Sequence, residues 1–433
     1  MSKEDLTRPV PEGLAERAAI VGSAEETLTD EQARAFIAEQ LAGTDVDGKT
    51  VCIVIPDGTR SGPHALMIQA AYDAIAERAQ EITILIALGT HADMSEEAIE
   101  KLVGGPTSRF PRARIVNHDW KNPAAITTLG TVPAEEISRL TQGLLSDRAM
   151  DVQINSLVAD ADVNLVIGPV FPHEVVGFSG GNKYFFPGCS VHDVIDISHW
   201  VGALITASRI IGTSGITPVR QLIDTASEMI AGEKLAITYV ATGDRGLHSV
   251  AFGDTQSAWA ANAWVAARTH IKYVEKPYRR IVSKVPEMYE DLWTGAKGVY
   301  KMEPVCADGG EIIVYAPHIT EISEMHPGIA EIGYHCIDYF TKQWERFKYH
   351  PWGEIAHSTH VRGLGTYDPA TDTEELRINI TLATQVPREV CEAYNLGYVD
   401  PDSLDFAALA QDPDTLVVEH AGEILHRLES ERP

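Results

Sequence analysis

No Cys-x-x-Cys pair occurs in this 433-residue chain, whose five cysteines (Cys52, Cys189, Cys306, Cys336, Cys391) are odd in number and widely scattered. That spacing indicates neither a zinc ribbon nor a disulfide framework. No apolar run approaches the ~18 residues that a membrane span needs. The opening stretch MSKEDLTRPVPEGL also lacks the apolar core of a signal peptide. A cytoplasmic location is the expectation. Basic residues are scarce, with 35 Lys and Arg against 62 Asp and Glu and a formal charge of −27. Nucleic acids and membrane surfaces both require a cationic face, so neither is an expected partner, and the acidity reads first as solubility. HExxH, internal repeats and low-complexity tracts are absent.

What is present is an alternation. The runs TVCIVIPD (50–57), ITILIALGT (82–90), ARIVNHD (113–119), DVNLVIGPVF (162–171) and LAITYVAT (235–242) read as buried strands. Helical patterns lie between them at 64–80, 94–104 and 218–232, and another follows at 255–274. Three more strands are expected at 276–286, 309–317 and 353–361. The chain is too long for one comfortable core. The expected class is α/β, as two domains with mainly parallel sheets: residues 1–275, then 276–412. Residues 413–433 offer a last strand and helix able to pack back on the first domain.

Ligands of open parallel sheets gather at the carboxyl ends of strands. Three polar clusters fall there: PDGTR (56–60), LGTHAD (88–93) and GPVFPHE (168–174). Arg60 and Asp57 could form a surface ion pair, or a guanidinium fork for a carboxylate or phosphate. Ser179-Gly180-Gly181-Asn182-Lys183 could cradle an anion with its backbone amides. Lys183 sits in the apolar stretch KYFFPGC, where a buried ammonium is either paired or used covalently. His91 and His173 each follow a strand end, and His192 and His199 share a face if their segment is helical. Imidazoles in such number suit a borderline transition metal, although each histidine alone is more often structural. Spacing therefore leaves a metal site, a cofactor lysine and an ordinary loop all open.

Taken together, PDGTR at 56–60, ALGTH at 87–91, PHEVVGFSGGNKYFFPG at 172–188, His199 and DLWTGAKG at 291–298 resemble the nickel-pincer lactate racemase family. The likeness runs from about residue 50 to about 320. It implies two α/β domains with the active site in the cleft between them, and racemisation or epimerisation of a 2-hydroxy acid. It also implies a nickel-pincer nucleotide, a pyridinium-3,5-bisthiocarboxylic acid mononucleotide holding Ni(II), attached covalently to Lys183 and completed by His199 on the metal. By the same resemblance Asp57, Gly58, Thr59, Arg60, Ser179, Gly180 and Gly181 would contact the cofactor. Arg60, Thr294 and Lys297 would bind the substrate carboxylate, and His91 and His173 would be the acid/base pair. Separate biosynthetic enzymes would have to supply the cofactor.

The chemistry suits those residue types. The C2–H of a 2-hydroxy acid is very weakly acidic, so removing it as hydride, with loss of the hydroxyl proton, is the easier route. The planar 2-keto acid then accepts hydride on either face, and histidine is tuned to handle the proton near neutral pH. Two departures from the family pattern put lactate itself in doubt: Thr294 stands in place of a glutamine, and Ala92 in place of a basic residue. His318, Thr320, Glu321, His326, His357, Thr359, His360 and Arg362 could instead serve a polyhydroxylated acid. Lactate racemase proper, a pyridoxal-phosphate racemase, a zinc hydrolase built on His91, His173 and His199, and a non-catalytic sugar-acid binding protein are the alternatives.

Overall fold

Four of the five apolar runs of the first half become strands because Val, Ile and Leu fill both of their faces, and the fifth, Ala113–Asn117, is a half-exposed edge strand. The computed structural model describes residues 6–89, 91–191, 193–243 and 246–432. The chain divides into two compact units. The first holds Met1–Phe171, Phe178–Ser198 and Ser214–Thr269; the second holds Pro172–Gly177, His199–Thr213 and His270–Pro433.

The main sheet of the first unit holds β1 (Ala19–Gly22), β2 (Thr50–Pro56), β3 (Glu81–Ala87), β4 (Ala113–Asn117), β5 (Val163–Pro169), β6 (Glu233–Thr242) and β7 (Gly246–Asp254). They form one sheet in the order β1-β7-β6-β5-β2-β3-β4. The stretch from β6 to β4 is parallel, with Ile53 of β2 opposite both Ile84 and Leu165. Strands β2 and β5 are buried almost throughout, as a sheet covered on both faces requires. Two antiparallel strands, β7 and β1, finish the other side. The segment 246–254 was not foreseen as a strand.

Helix α1 (Asp30–Ala42) begins at a capping box between Thr29 and Gln32. Helix α2 (His64–Ile75) buries Leu66, Met67, Ile68, Ala71 and Ile75 in the core beside β2 and β3. Helix α3 (Pro218–Ser227) starts where Thr217 caps Arg220 N–H and Pro218 occupies the first turn, as its sequence predicts. Helix α4 (Thr255–Thr269) is shorter than the expected 255–274, because Ile271–Val274 leaves it as a strand.

The second unit has a parallel sheet of β8 (Tyr278–Lys284), β9 (Cys306–Ala316), β10 (Asn379–Thr384), β11 (Gly397–Tyr398) and β12 (Thr415–Val418), in the order β11-β10-β9-β8-β12. Two expectations are corrected here. Residues 353–361 are not a strand but most of helix α5 (Trp352–Arg362). That helix is buried from Ile355 to Arg362 without interruption, so no helical period is visible, and Ile355, Thr359 and Val361 mimic a β-rich run. Thr415–Val418 pairs with β8, and the expected final helix is instead Leu425–Leu428, a strand pairing with Ile271–Val274.

Among the described residues no helix is long and apolar enough to cross a membrane. All five cysteines are buried and free.

Candidate active site

In the first unit, adjacent parallel strands β2, β3 and β5 deliver three loops at their carboxyl ends. The loop after β2 carries Asp57, which is 5% exposed. Its Oδ1 accepts from the Thr59 amide at 3.1 Å and the Thr59 hydroxyl at 2.6 Å, a local turn that holds the carboxylate still. Its Oδ2 pairs with Nδ1 of His91, delivered by the loop after β3. Burial resists ionisation of Asp57, but the charges of His91 and Arg60 and the hydrogen bonds from His91 and Thr59 outweigh it. They hold the carboxyl well below its usual range. An ionised Asp57 can only accept, so a neutral His91 carries its hydrogen on Nδ1 and none on Nε2. The His91 side chain is 26% exposed.

Arg60 joins the same chain of contacts. Its Nη1 donates to the Thr59 hydroxyl oxygen at 2.6 Å and to the Thr59 carbonyl at 3.0 Å, and its guanidinium lies 5.5 Å from the Phe171 ring centre. His64 buttresses this loop. Its Nε2 meets the Arg60 carbonyl at 2.7 Å and its Nδ1 meets the Tyr239 hydroxyl at 2.5 Å. The exposed Gly58 lies between Asp57 and Thr59.

The Ser179–Lys183 segment is shaped by packing rather than left open as a cradle. Gly180 and Gly181 take φ of +89° and +60°. A Cβ on Gly180 would lie 2.7 Å from Val170 Cγ2, and one on Gly181 would lie 2.7 Å from the Thr255 carbonyl. The Ser179 hydroxyl donates to the Pro169 carbonyl and accepts from Phe171 N–H, each at 3.1 Å. Asn182 donates to Asp224 at 2.9 Å and accepts from the Thr255 hydroxyl at 2.5 Å. Fully buried Arg220 donates to the Phe178 carbonyl at 2.6 Å and stands 4.0 Å over the Trp259 ring. Clamped this way, the 3₁₀ turn Gly181–Tyr184 presents Lys183 half-buried beside the buried Tyr184. Gly89 N–H bonds the Gly188 carbonyl at 2.9 Å, tying the His91 loop to the lysine loop. Arg220, Asp224, Thr255 and Trp259 gave no sequence signal, since their spacing from Lys183 is set by tertiary packing alone.

The second unit carries the other candidates. His173 is 5% exposed, and its Nδ1 accepts from Val175 N–H at 3.1 Å. Buried Lys301, which sequence reasoning missed, donates to the neighbouring Pro172 carbonyl and fixes this segment. Thr294 is drawn into a turn with Asp291, whose Oδ1 accepts from the Thr294 hydroxyl at 2.8 Å. Lys297 is buried, with its ammonium 4.7 Å from the Tyr289 ring centre. His199 is half-buried within the charge field of His357 and His360. His192 lies outside the described residues.

The eight residues read as a polyol subsite are only partly available. His318 Nε2 meets the Tyr289 carbonyl at 3.0 Å, His357 Nε2 meets the Trp293 carbonyl at 3.1 Å, and the Thr359 hydroxyl donates to the Ala356 carbonyl at 2.9 Å. Thr320 and Glu321 are exposed. Arg362 lines a different recess with Arg279, Arg280 and Asp414. His326 and His357 stack on opposite sides of the same tryptophan, Trp293, at 3.7 and 3.9 Å. Burial pushes His357 down to about 3 and His360 down to about 4, so both are neutral near pH 7. Among the described residues, both ring nitrogens of His360, Nδ1 of His357 and the Tyr334 hydroxyl find no hydrogen-bond partner.

Among the described residues no three His, Cys, Asp or Glu side chains are grouped to hold a metal ion. That gives no support to a zinc centre of His91, His173 and His199. A half-buried lysine amine on a clamped turn, and a half-buried imidazole at His199, are donors that fit the implied nucleotide.

Comparison with known proteins gives a consistent result. Residues 6–210 match the profile of the lactate racemase N-terminal domain. A lactate racemase of Thermoanaerobacterium thermosaccharolyticum is 23% identical over 295 residues, 65% of this chain and 62% of that protein. The chain thus matches less than two thirds of that relative's length. A crystal structure of a Thermotoga maritima protein superposes with a TM-score of 0.86 at 32% identity, covering 94% of this chain and 100% of that one. The lactate racemase apoprotein of T. thermosaccharolyticum superposes with a TM-score of 0.71 at 17% identity, over 98% and 99% of the two chains, which shows a shared fold.

Proposed function

The chain belongs to the lactate racemase family, and from that premise we propose that it is an isomerase inverting C2 of a 2-hydroxy acid. The observation that carries the reading is the Arg60–Thr59–Asp57–His91 chain of contacts at the ends of adjacent parallel strands. It supplies a guanidinium suited to a carboxylate beside a histidine whose Nε2 is bare. The 2-hydroxy acid has a matching pair of groups, a carboxylate and a hydroxyl on neighbouring carbons.

In this reading His91 Nε2 takes the substrate hydroxyl proton, and Asp57 stabilises the imidazolium that results. Arg60 and Lys297 hold the carboxylate, which keeps the substrate in place while the planar 2-keto acid presents its other face. The nickel-pincer nucleotide that the family implies would be tethered by Lys183 and ligated by His199, and when bound it supplies the hydride acceptor. Asn182, Arg220 and the two packed glycines keep the lysine turn in one conformation for that purpose.

We further propose a substrate more polar than lactate, a polyhydroxylated acid. The support is the group of partnerless polar atoms on His357, His360 and Tyr334, because apolar methyl groups leave such atoms unsatisfied at a cost of about 1–3 kcal/mol each. The test is chiral chromatography of cofactor-loaded enzyme with lactate, malate, 2-hydroxyglutarate, phenyllactate and aldonates. Inversion of at least one aldonate with kcat/KM above that for lactate is expected. No inversion of any acid ends the isomerase reading, and a preference for lactate ends the substrate reading alone.

A further inference from the structure

Basic side chains are scarce in this acidic chain, yet three arginines line one recess of the second unit. The recess encloses about 630 Å³ and lies where β8, β10 and β12 begin, at the amino edge of that parallel sheet. Thr294 and Lys297 follow the other end of β8. Arg279 and Arg280 come from the start of β8, and Arg362 is the last residue of α5. Two glycines of the lining, Gly309 and Gly397, leave room for a ligand. The space at Gly397 is enforced, since a Cβ there would lie 2.5 Å from Thr381 Oγ1.

Arg362 is 6% exposed, and its Nε and Nη1 find no hydrogen-bond partner among the described residues. Burial disfavours its charge, which the field of Glu374 opposes. Glu374 is itself engaged, by His335 Nδ1 at 2.6 Å, Cys336 N–H at 2.9 Å and the Asn395 amide at 3.2 Å. The acids of the recess are committed in the same way. Asp414 pairs with Lys276 at 2.8 Å, Asp412 accepts from the Thr415 hydroxyl at 2.7 Å, and Glu311 accepts from the Thr381 hydroxyl at 2.5 Å. Arg280 reaches Glu311 only loosely, at 3.8 Å. A buried guanidinium without hydrogen-bonded counter-charge is costly, and an anion in the recess relieves that cost. We infer that this recess binds a small metabolite through an oxyanion group, a carboxylate or a phosphate, gripped by buried Arg362 and by exposed Arg279 and Arg280. The planar fork of a guanidinium matches both kinds of oxyanion. None of these side chains takes part in the proposed inversion at C2, so the inference stands apart from that reading.

Isothermal titration of the whole cofactor-free chain near neutral pH, at constant ionic strength in chloride, tests this with inorganic phosphate and with malonate. Malonate carries carboxylates but no hydroxyl, so it is not a substrate of the proposed reaction. Saturable binding of one anion per chain is expected for at least one probe. Arg362→Gln and Arg279→Ser should each weaken it by about tenfold or more, the scale of one charge-assisted hydrogen bond. Arg279 is exposed, so its variant reads the site even where Arg362→Gln fails to fold. Arg60→Gln, which removes the guanidinium of the first unit, should bind as the wild type does. Tighter binding of malonate assigns the site to a carboxylate, and tighter binding of phosphate assigns it to a phosphate. No saturable binding of either probe overturns the inference. So does binding that survives both second-unit substitutions, or binding that Arg60→Gln abolishes, which belongs to the first unit.

Discussion

Asp57 and His91, 34 residues apart in sequence, are joined side chain to side chain through Oδ2 and Nδ1, with the carboxylate almost fully buried and the imidazole partly exposed. The pairing depends on β2 and β3 lying side by side and parallel, which brings the two strand ends to one edge. It gives Asp57 a nearer task than the cofactor contact that the resemblance implies, since both its oxygens are already engaged by His91 and Thr59.

Asp57→Asn tests this pairing. An amide can donate as well as accept, so it no longer dictates which nitrogen of His91 carries hydrogen. Turnover of loaded enzyme should fall roughly 100-fold or more, the scale of losing an oriented base. Circular dichroism should match the wild type. Activity within a few-fold of wild type would return Asp57 to a purely structural role.

Lys183→Ala should remove the tether without unfolding the protein, because Asn182, Ser179 and Arg220 hold the turn. After expression beside the cofactor-making enzymes, intact mass should show a nucleotide-sized increment in the wild type and none in the variant. Peptide mapping should place that increment on Lys183. An adduct at another residue contradicts the assignment.

Gly180→Ala should act through the fold. The residue has φ of +89°, and the new Cβ would lie 2.7 Å from Val170. The combined strain should cost about 1–3 kcal/mol, read by chemical denaturation, and should lower the yield of cofactor adduct. A variant as stable as the wild type would show that Val170 and the loop yield freely.

Acid should destabilise the protein before its carboxylates titrate. Burial pushes His357 down to about 3, and His360 and His426 down to about 4, whereas the unfolded chain takes up these protons near pH 6.5. The unfolded state therefore binds more protons below pH 6.5, and stability falls as pH drops toward 4, by at most about 1.4 kcal/mol per pH unit for each group. Above pH 6.5 the contribution is complete and flat. His426→Gln should flatten the slope between pH 6 and 4.5 by one proton, measured by urea denaturation across that range. An unchanged slope would mean that His426 protonates without penalty in the folded protein.

Much of this was legible from short-range pattern. The strands β2, β3 and β5 announce themselves as continuous Val, Ile and Leu runs, and α3 by Pro218 and its apolar period. Asp57, Arg60 and His91 could be placed at strand ends for that reason. Helix α5 could not, because uniform burial erases the period on which such reading depends. The terminal strand Leu425–Leu428 was misread as helix because its partner, Ile271–Val274, lies about 150 residues away and leaves no local trace. The clamp on Lys183 was hidden for the same reason: Arg220 and Thr255 reach it only through the fold. The tautomer of His91 depends on its pairing with Asp57, which no spacing encodes.

The central claim is inversion at C2 by movement of hydrogen as hydride. The direct measurement uses a single stereoisomer of a 2-hydroxy acid carrying deuterium at C2, incubated with loaded enzyme in ordinary water. Product configuration is followed by chiral separation and label by mass spectrometry. The account predicts that the opposite C2 configuration accumulates with the deuterium still at C2, because the hydride never mixes with solvent protons. Inverted product that has lost its deuterium to water would contradict it, as would an absence of inverted product for every acid in the panel.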